Sequence, residues 1–319
     1  LAARGHRFHL LTFEKPERWR DEAARDAMRR RLDERRIAWH PLRYHKRPTA
    51  VATAWDVATG IRRASRIARR EGLDLVHARS YPSTLIAWRM ARGRGIPYLF
   101  DMRGLYAEER VDAGLWPEDG WLYRLTRSLE RRFLRDAAAV VTLTEASRPL
   151  IEERMGDAAS GASLAVIPTA VDLERFRPPE AEDPDVPAAP GPVRSTVGGA
   201  PDTPFTLAYV GSVGTWYLLD EMLALGRCLL EEVVGSRLLF LTNAAPEPVL
   251  RRAAAAALDP DRLDVRSVPH EEVPSALAAA SATYFFIAPR PSKVASAATK
   301  FGESLALGLP VLLNDGVGD

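Results

Sequence analysis

Between Arg290 and Val311 the chain reads RPSKVASAATKFGESLALGLPV. The first half is built from small and hydroxyl-bearing residues, among them Ser292, Ser296, Ala297, Ala298 and Thr299. It runs without a break into a helical pattern. Small side chains let a ligand approach the main chain, and a helix start offers N–H donors and the positive end of the helix dipole. Lys300 adds a full charge there, and Arg290 stands at the head of the loop. One turn further, Glu303 can accept hydrogen bonds from vicinal hydroxyls such as those of a ribose. The chemistry this favours is the binding of a diphosphate attached to a sugar. The same residues also fit an ordinary amphipathic helix, with Thr299 as its cap and with Lys300 and Glu303 in water.

A second group lies in FDMRGLYAEER, Phe100–Arg110. Asp101 or Glu109 could orient or deprotonate an acceptor hydroxyl, and Arg103 could neutralise a departing phosphate. A set of structural ion pairs would read the same way. His77 and Ser80 close the preceding strand and border the same region. Gly211 and Gly214, with Ser212 between them, form a G-x-x-G turn after a strand, a weak signal alone. Asn243 and Val268–His270 end two further strands, where a base or ribose could lie. The six histidines are scattered, and no D-x-D pair stands at a strand end. No metal and no other cofactor is therefore expected.

Positioning these residues requires strands whose ends meet. Apolar runs at residues 7–12, 37–42, 73–77, 97–100, 138–143 and 164–167 read as strands. Helical patterns separate them at 17–36, 49–71, 83–91 and 120–135, and a further helix runs from a cap at Thr144 to about Met155. Residues 178–204 are dense in Pro, Ala, Gly, Asp and Glu and read as an exposed linker. Alternation then resumes, with strands at 205–210, 238–242, 263–268, 283–287 and 310–313. The intervening helices fall at 217–233, 247–258, 271–280 and 299–307. Such alternation predicts two doubly wound parallel sheets, with ligands at the carboxyl ends of the strands. The expected division is residues 1–170, a connecting stretch 171–204, and residues 205–319. LAARGH reads as the end of a helix and GVGD follows a strand, so both ends look truncated.

Bulk properties agree. The 319 residues are 46% hydrophobic and 27% charged, which suits two soluble domains. A net charge of +2 excludes a polyanion binder, so no nucleic-acid partner is expected. Nothing reads as a signal peptide or a membrane span. The lone Cys228 lies in an apolar helix, reads as a small core residue and fits a cytoplasmic setting. The basic stretches IRRASRIARR (residues 61–70) and WLYRLTRSLERRFLR (residues 121–135) read either as solvated outer helix faces or as a peripheral contact with anionic lipid.

KFGESLALGLPVL resembles the donor-site signature of the retaining glycosyltransferases of family 4. That signature is E-A-x-A-x-G-x-P-V, matched here by Glu303, Ala306, Gly308, Pro310 and Val311, with Ser304 replacing the first alanine. LVHARS, VVTLTEASRPLI, VIPTAVDLERFRP and SVPHEEVPSALAAASA resemble other segments of the family in the same order. The resemblance implies the GT-B fold, two Rossmann-like domains facing a central cleft. It implies transfer, with retention and without an obligatory metal, from a UDP- or GDP-linked sugar to an acceptor hydroxyl, and a lipid-linked glycan would suit the basic helices. Three positions depart from the family. Ala295 stands where a second Glu is usual, Ser212 where an Arg is usual, and Asp101 where a His is common. They read as a rebuilt site in which Lys300, Arg290, Ser292 or Ser296 takes over phosphate and sugar contacts. A nucleotide-sugar epimerase of the same fold and an inactive sugar-nucleotide-binding scaffold are the rival readings.

Overall fold

Every ladder that joins two strands is parallel, which requires a crossover between neighbours and accounts for the helices between them. The computed structural model describes residues 2–156, 162–178, 204–214, 216–243 and 245–319. The chain divides into two compact units. Most of the expected linker falls outside the described residues.

Unit 1 comprises Leu1–Ala107, Pro117–Thr142 and Arg148–Val166. Its elements are β1 (Phe8–Glu14), α1 (Pro16–Arg20), α2 (Glu22–Glu34), β2 (Ile37–Arg43), α3 (Thr49–Glu71), β3 (Val76–Arg79), α4 (Ser80–Arg94) and β4 (Tyr98–Asp101). The start of α5 (Tyr106–Asp112), α6 (Trp121–Asp136), β5 (Ala139–Thr142), α7 (Arg148–Met155) and β6 (Ser163–Val166) complete it. The strands form two sheets rather than one: β1 pairs with β2, and β3–β4–β5–β6 form the other. Tyr98, Phe100, Phe133 and Leu134 lie in its core at 1% exposure or less.

Unit 2 comprises Glu108–Trp116, Leu143–Ser147 and Ile167–Asp319. It contains β7 (Thr206–Val210), α8 (Leu219–Glu232), β8 (Arg237–Leu241), α9 (Glu247–Ala255), β9 (Leu263–Arg266), α10 (Val273–Ala276), β10 (Ala282–Phe285), α11 (Thr299–Ala306) and β11 (Val311–Leu313). The sheet order is β11–β10–β7–β8–β9. Alternate residues on β7 and β8 feed two cores. Leu207, Tyr209, Leu238 and Phe240 pack with Leu219, Met222 and Leu223 of α8. Ala208, Leu239 and Leu241 pack with Leu277, Leu307, Leu309 and Phe176. Both faces of this sheet are therefore covered, as an all-parallel sheet requires.

Several local expectations are corrected. The helix expected over residues 17–36 is split, because Asp21 is extended (φ −81°, ψ 93°) and its carboxylate accepts the Ala24 N–H at 2.9 Å, capping α2. The helix expected over 271–280 shrinks to α10, because the following N–H groups bond three residues back, Ala278 to the Ser275 carbonyl and Ala280 to the Leu277 carbonyl. Thr144 does not cap α7; its hydroxyl donates to the Val294 carbonyl at 2.7 Å. Helix α5 was not anticipated, although Glu108 and Glu109 occupy its first turn, where the dipole favours acids. Cys228 is exposed, because α8 buries Leu219, Met222, Leu223, Gly226 and Leu230 and that spacing turns residue 228 outward.

Phe240 is fully buried between Tyr209 and Tyr284. Phe240→Ala should destabilise unit 2 by about 3–5 kcal/mol, read as a lower urea midpoint for its unfolding transition.

Candidate functional site

In unit 2 the chain leaves β7 through α8 on one face of the sheet and leaves β10 through α11 on the other. Adjacent strands with opposite exits leave a crevice at their carboxyl ends, the position where open α/β sheets bind ligands. A cavity of about 270 Å³ lies there. Val210 and Gly211 after β7, Leu241, Thr242 and Asn243 after β8, and Val268, His270 and Val273 beyond β9 form part of its wall. Tyr217 and the front of α11, with Thr299, Lys300 and Glu303, form the rest.

Lys300 dominates this cavity. Its Nζ donates to the Tyr209 hydroxyl at 3.2 Å and lies 4.3 Å from the Tyr209 ring, 3.9 Å from Tyr217 and 5.4 Å from Phe285. The Tyr209 hydroxyl in turn donates a hydrogen bond to the Ser212 carbonyl at 2.5 Å. The ammonium is thus held by ring faces and one phenol oxygen, and among the described residues no other hydrogen-bond partner meets it. Loss of water draws its pKa down to about 7, with Glu303 pulling the other way. Burial pushes the phenols of Tyr209, Tyr217 and Tyr284 upward, so they stay protonated. Gly211 makes room: its φ is 132°, and a Cβ there would stand 2.5 Å from Lys300 Nζ. An anion entering the cavity would meet a cation that no described carboxylate already pairs with.

Helix α11 begins after Ala298, and no side chain caps it. Thr299 is its first residue rather than its cap; the Phe301 N–H is taken by the Ala298 carbonyl at 3.0 Å, and the N–H groups of Thr299 and Lys300 stand at the helix start, where no side chain caps them. Glu303 is 13% exposed and meets His270 Nε2 at 3.3 Å. Thr299, Lys300, Glu303, Gly211 and His270 therefore share one cavity, and Ser212 supports it through its carbonyl.

The loop before α11 divides differently. Ser292 is fully buried, its N–H donates to Asp112 Oδ2 at 3.1 Å, and its hydroxyl has no partner. Ala295 is 1% exposed, so the position of the family's second Glu faces packed protein. Arg290 is exposed, and the Ser296 N–H closes a turn onto the Lys293 carbonyl at 3.0 Å. None of these lines the cavity. Lys293 was not anticipated; it is buried, 3.8 Å from the Trp216 ring and 3.9 Å from Glu109 Oε1. Desolvation lowers its pKa against Glu109 and Asp112. Glu109 is thus a partner of Lys293 within unit 2.

In unit 1, His77 and Asp101 come from the ends of paired strands β3 and β4. His77 Nε2 lies 3.4 Å from Asp101 Oδ2, and the other Asp101 oxygen is buried without a partner. Ser80 (φ 68°) and Arg103 (φ 60°) flank the pair in the left-handed region, a conformation costing about 1–3 kcal/mol in a residue other than glycine and concentrated at working sites. A His–Asp pair of this kind can take a proton from a hydroxyl. Among the described residues no group of three His, Cys, Asp or Glu side chains could hold a metal ion. No described helix is long and apolar enough to cross a membrane.

The two units define an α/β protein built on parallel sheets. Residues 1–170 match the sequence profile of the glycosyl transferase 4-like domain, and the chain belongs to that family. No curated protein matches it. Among solved structures it is similar to a glycosyltransferase from Rickettsia africae ESF-5 (TM-score 0.60, 11% identity, 98% of this chain and 81% of that one). It is similar to sucrose-phosphate synthase from Thermosynechococcus elongatus (TM-score 0.59, 16% identity), covering 87% of this chain and 66% of that one. The lipopolysaccharide outer core galactosyltransferase WaaB also aligns (TM-score 0.55, 12% identity, 91% and 68%). At these identities the likeness is one of fold, the two-domain GT-B architecture.

The Lys300 environment makes stability depend on pH. An unfolded lysine titrates near 10.4, whereas Lys300 in the fold titrates at about 7. Between those values the unfolded chain binds more protons, so raising the pH favours folding. The urea midpoint of unit 2 should rise from pH 7 to about pH 9.5, and Lys300→Met should shrink that rise, leaving the part that the lowered pKa of Lys293 contributes.

Proposed function

We propose that the chain transfers a sugar from a nucleotide-diphosphate sugar to an acceptor hydroxyl, in polysaccharide or glycoconjugate synthesis. The observation that carries this reading is the Lys300 ammonium, held in an aromatic box beside the uncapped front of α11 with no carboxylate among the described residues in contact. A donor diphosphate would supply the missing negative charge, and Glu303 would accept ribose hydroxyls. The base would lie toward Asn243 and Val268. In unit 1, His77 paired to Asp101 would take the acceptor proton, and Arg103 would offset charge on the departing phosphate. The bond from the anomeric carbon to the diphosphate breaks, the acceptor oxygen bonds to that carbon on the face the diphosphate leaves, and nucleoside diphosphate departs. Lys300 and the α11 amides stabilise the charge that develops on it.

Retention of configuration and independence of metal belong to this proposal through the family resemblance. So does a lipid-linked glycan as acceptor, met by a protein resting on the cytoplasmic face of a membrane. Helix α6 supports that last element, exposing Arg124, Arg131, Arg132 and Arg135 beside Trp121 and Leu125, 64% and 48% exposed.

Incubation with UDP- and GDP-linked sugars, with and without an acceptor extract, separates the readings. Transfer that needs acceptor supports the proposal; isomerisation of the donor alone points to an epimerase; binding without turnover points to a scaffold. Given transfer, Lys300→Ala should weaken nucleoside diphosphate binding by roughly 10- to 100-fold. His77→Ala should lower kcat by about 10²- to 10⁴-fold at unchanged donor affinity.

A further inference from the structure

Glu303 is one end of a chain of three side chains drawn from distant parts of the sequence. Arg175 Nη1 lies 3.2 Å from His270 Nδ1, and His270 Nε2 lies 3.3 Å from Glu303 Oε1. An arginine can only donate, so Nδ1 must present its lone pair to Arg175. The ring proton then sits on Nε2 and points at Glu303. Arg175 thereby fixes the tautomer, and the tautomer fixes which Glu303 oxygen is engaged. His270 would otherwise be free to turn, since its side chain is 58% exposed. A second contact holds its plane: Phe176, 2% exposed, lies 5.6 Å from the imidazole, centroid to centroid.

The segment that carries Arg175 is itself seated on α11. Val171 lies 3.8 Å from where a Cβ on Gly302 would stand, and Pro178 lies 4.0 Å from the same point on Gly308. Asp172 folds the segment, accepting the N–H groups of Glu174 and Arg175 on its side chain and that of Phe176 on its carbonyl. The guanidinium is thus delivered to His270 by a turn packed against the same helix that carries Glu303.

We propose that Arg175 and His270 are positioning residues that aim the Glu303 carboxylate, leaving Oε2 to read the hydroxyls of the donor's ribose. This rests on the donor site proposed above and adds to it a mechanism for telling ribose from deoxyribose. With His270 occupying one oxygen, the other accepts a hydroxyl in a fixed direction. A nucleotide lacking that hydroxyl leaves a half-buried carboxylate oxygen unpaired, which is how polar sites reject deoxy analogues.

The test is calorimetric titration of the whole chain with UDP, GDP and their 2′-deoxy and 3′-deoxy forms. Wild type should prefer one ribonucleotide over at least one deoxy form by about 10-fold or more. His270→Ala and Arg175→Ala should each cut that preference about 5-fold or more, and His270→Ala should have no further effect when Glu303→Gln is already present. His270→Gln, which restores a donor near Nε2, should recover part of the preference, and His270→Asn should not. Both residues lie outside the cores, and thermal melts check that the variants fold. If Glu303→Gln abolishes the preference while the Arg175 and His270 variants keep it, the relay is wrong and the donor site stands. If wild type binds neither ribonucleotide, or Glu303→Gln binds like wild type, the donor site itself is wrong.

Discussion

A half-buried ammonium that meets aromatic rings instead of a carboxylate is the constraint around which unit 2 is arranged. Removing a charge from water is costly, and cation–π contact returns only about 0.5–2 kcal/mol. The protein nevertheless devotes four segments to this arrangement. Strand β7 supplies Tyr209 and then Gly211, whose missing side chain leaves the space that Nζ fills. The turn that follows brings Tyr217 back to bridge Ile287 beyond β10, and β10 supplies Phe285. Helix α11 brings Lys300 itself. The β7–β10 junction, where the strand order reverses within an all-parallel sheet, is the place at which these elements can converge.

Much of this architecture is legible in the chain, because its signals are local. Strands of buried parallel sheets are short apolar runs, and those at β2, β7 and β10 stand out against Arg-rich helices. Helix α3 is read over its full span, since Pro48 precedes it and Gly72, in a left-handed conformation, ends it. Failures occur where a tertiary contact overrides a local preference. Thr144 has the chemistry of a cap but gives its hydroxyl to Val294. Residues 271–280 have helical composition, yet α10 ends at Ala276 and the chain goes on in tighter three-residue turns to Ala280. The separation of β1–β2 from β3–β6 is likewise a matter of ladder partners, which strand patterns do not specify.

The site divides along the same line. Lys300, Glu303, Gly211 and His270 are visible because each is a polar or glycine residue at a strand end or helix start. Their partners are not. Tyr209 and Tyr217 read as core aromatics, and only the flanking of the Gly211–Gly214 turn by YV and WY hints at a box. Arg175 is one arginine among many and becomes notable only by meeting His270. Lys293 is scarce enough to notice, but its seat on Trp216 depends on a fold in which Trp216 returns beside the loop after β10.

The central claim is that Lys300 waits for a diphosphate, and the ammonium can report this itself. Only four lysines occur in the chain, Lys15, Lys46, Lys293 and Lys300, so ¹³C reductive methylation gives a spectrum assignable with single Lys→Arg variants. Titrated without ligand, Lys300 should change charge near pH 7. With saturating UDP or GDP it should stay charged to about pH 9 or beyond, because the anion supplies the countercharge that burial withheld. A Lys300 titration that does not move when nucleotide binds would contradict the account.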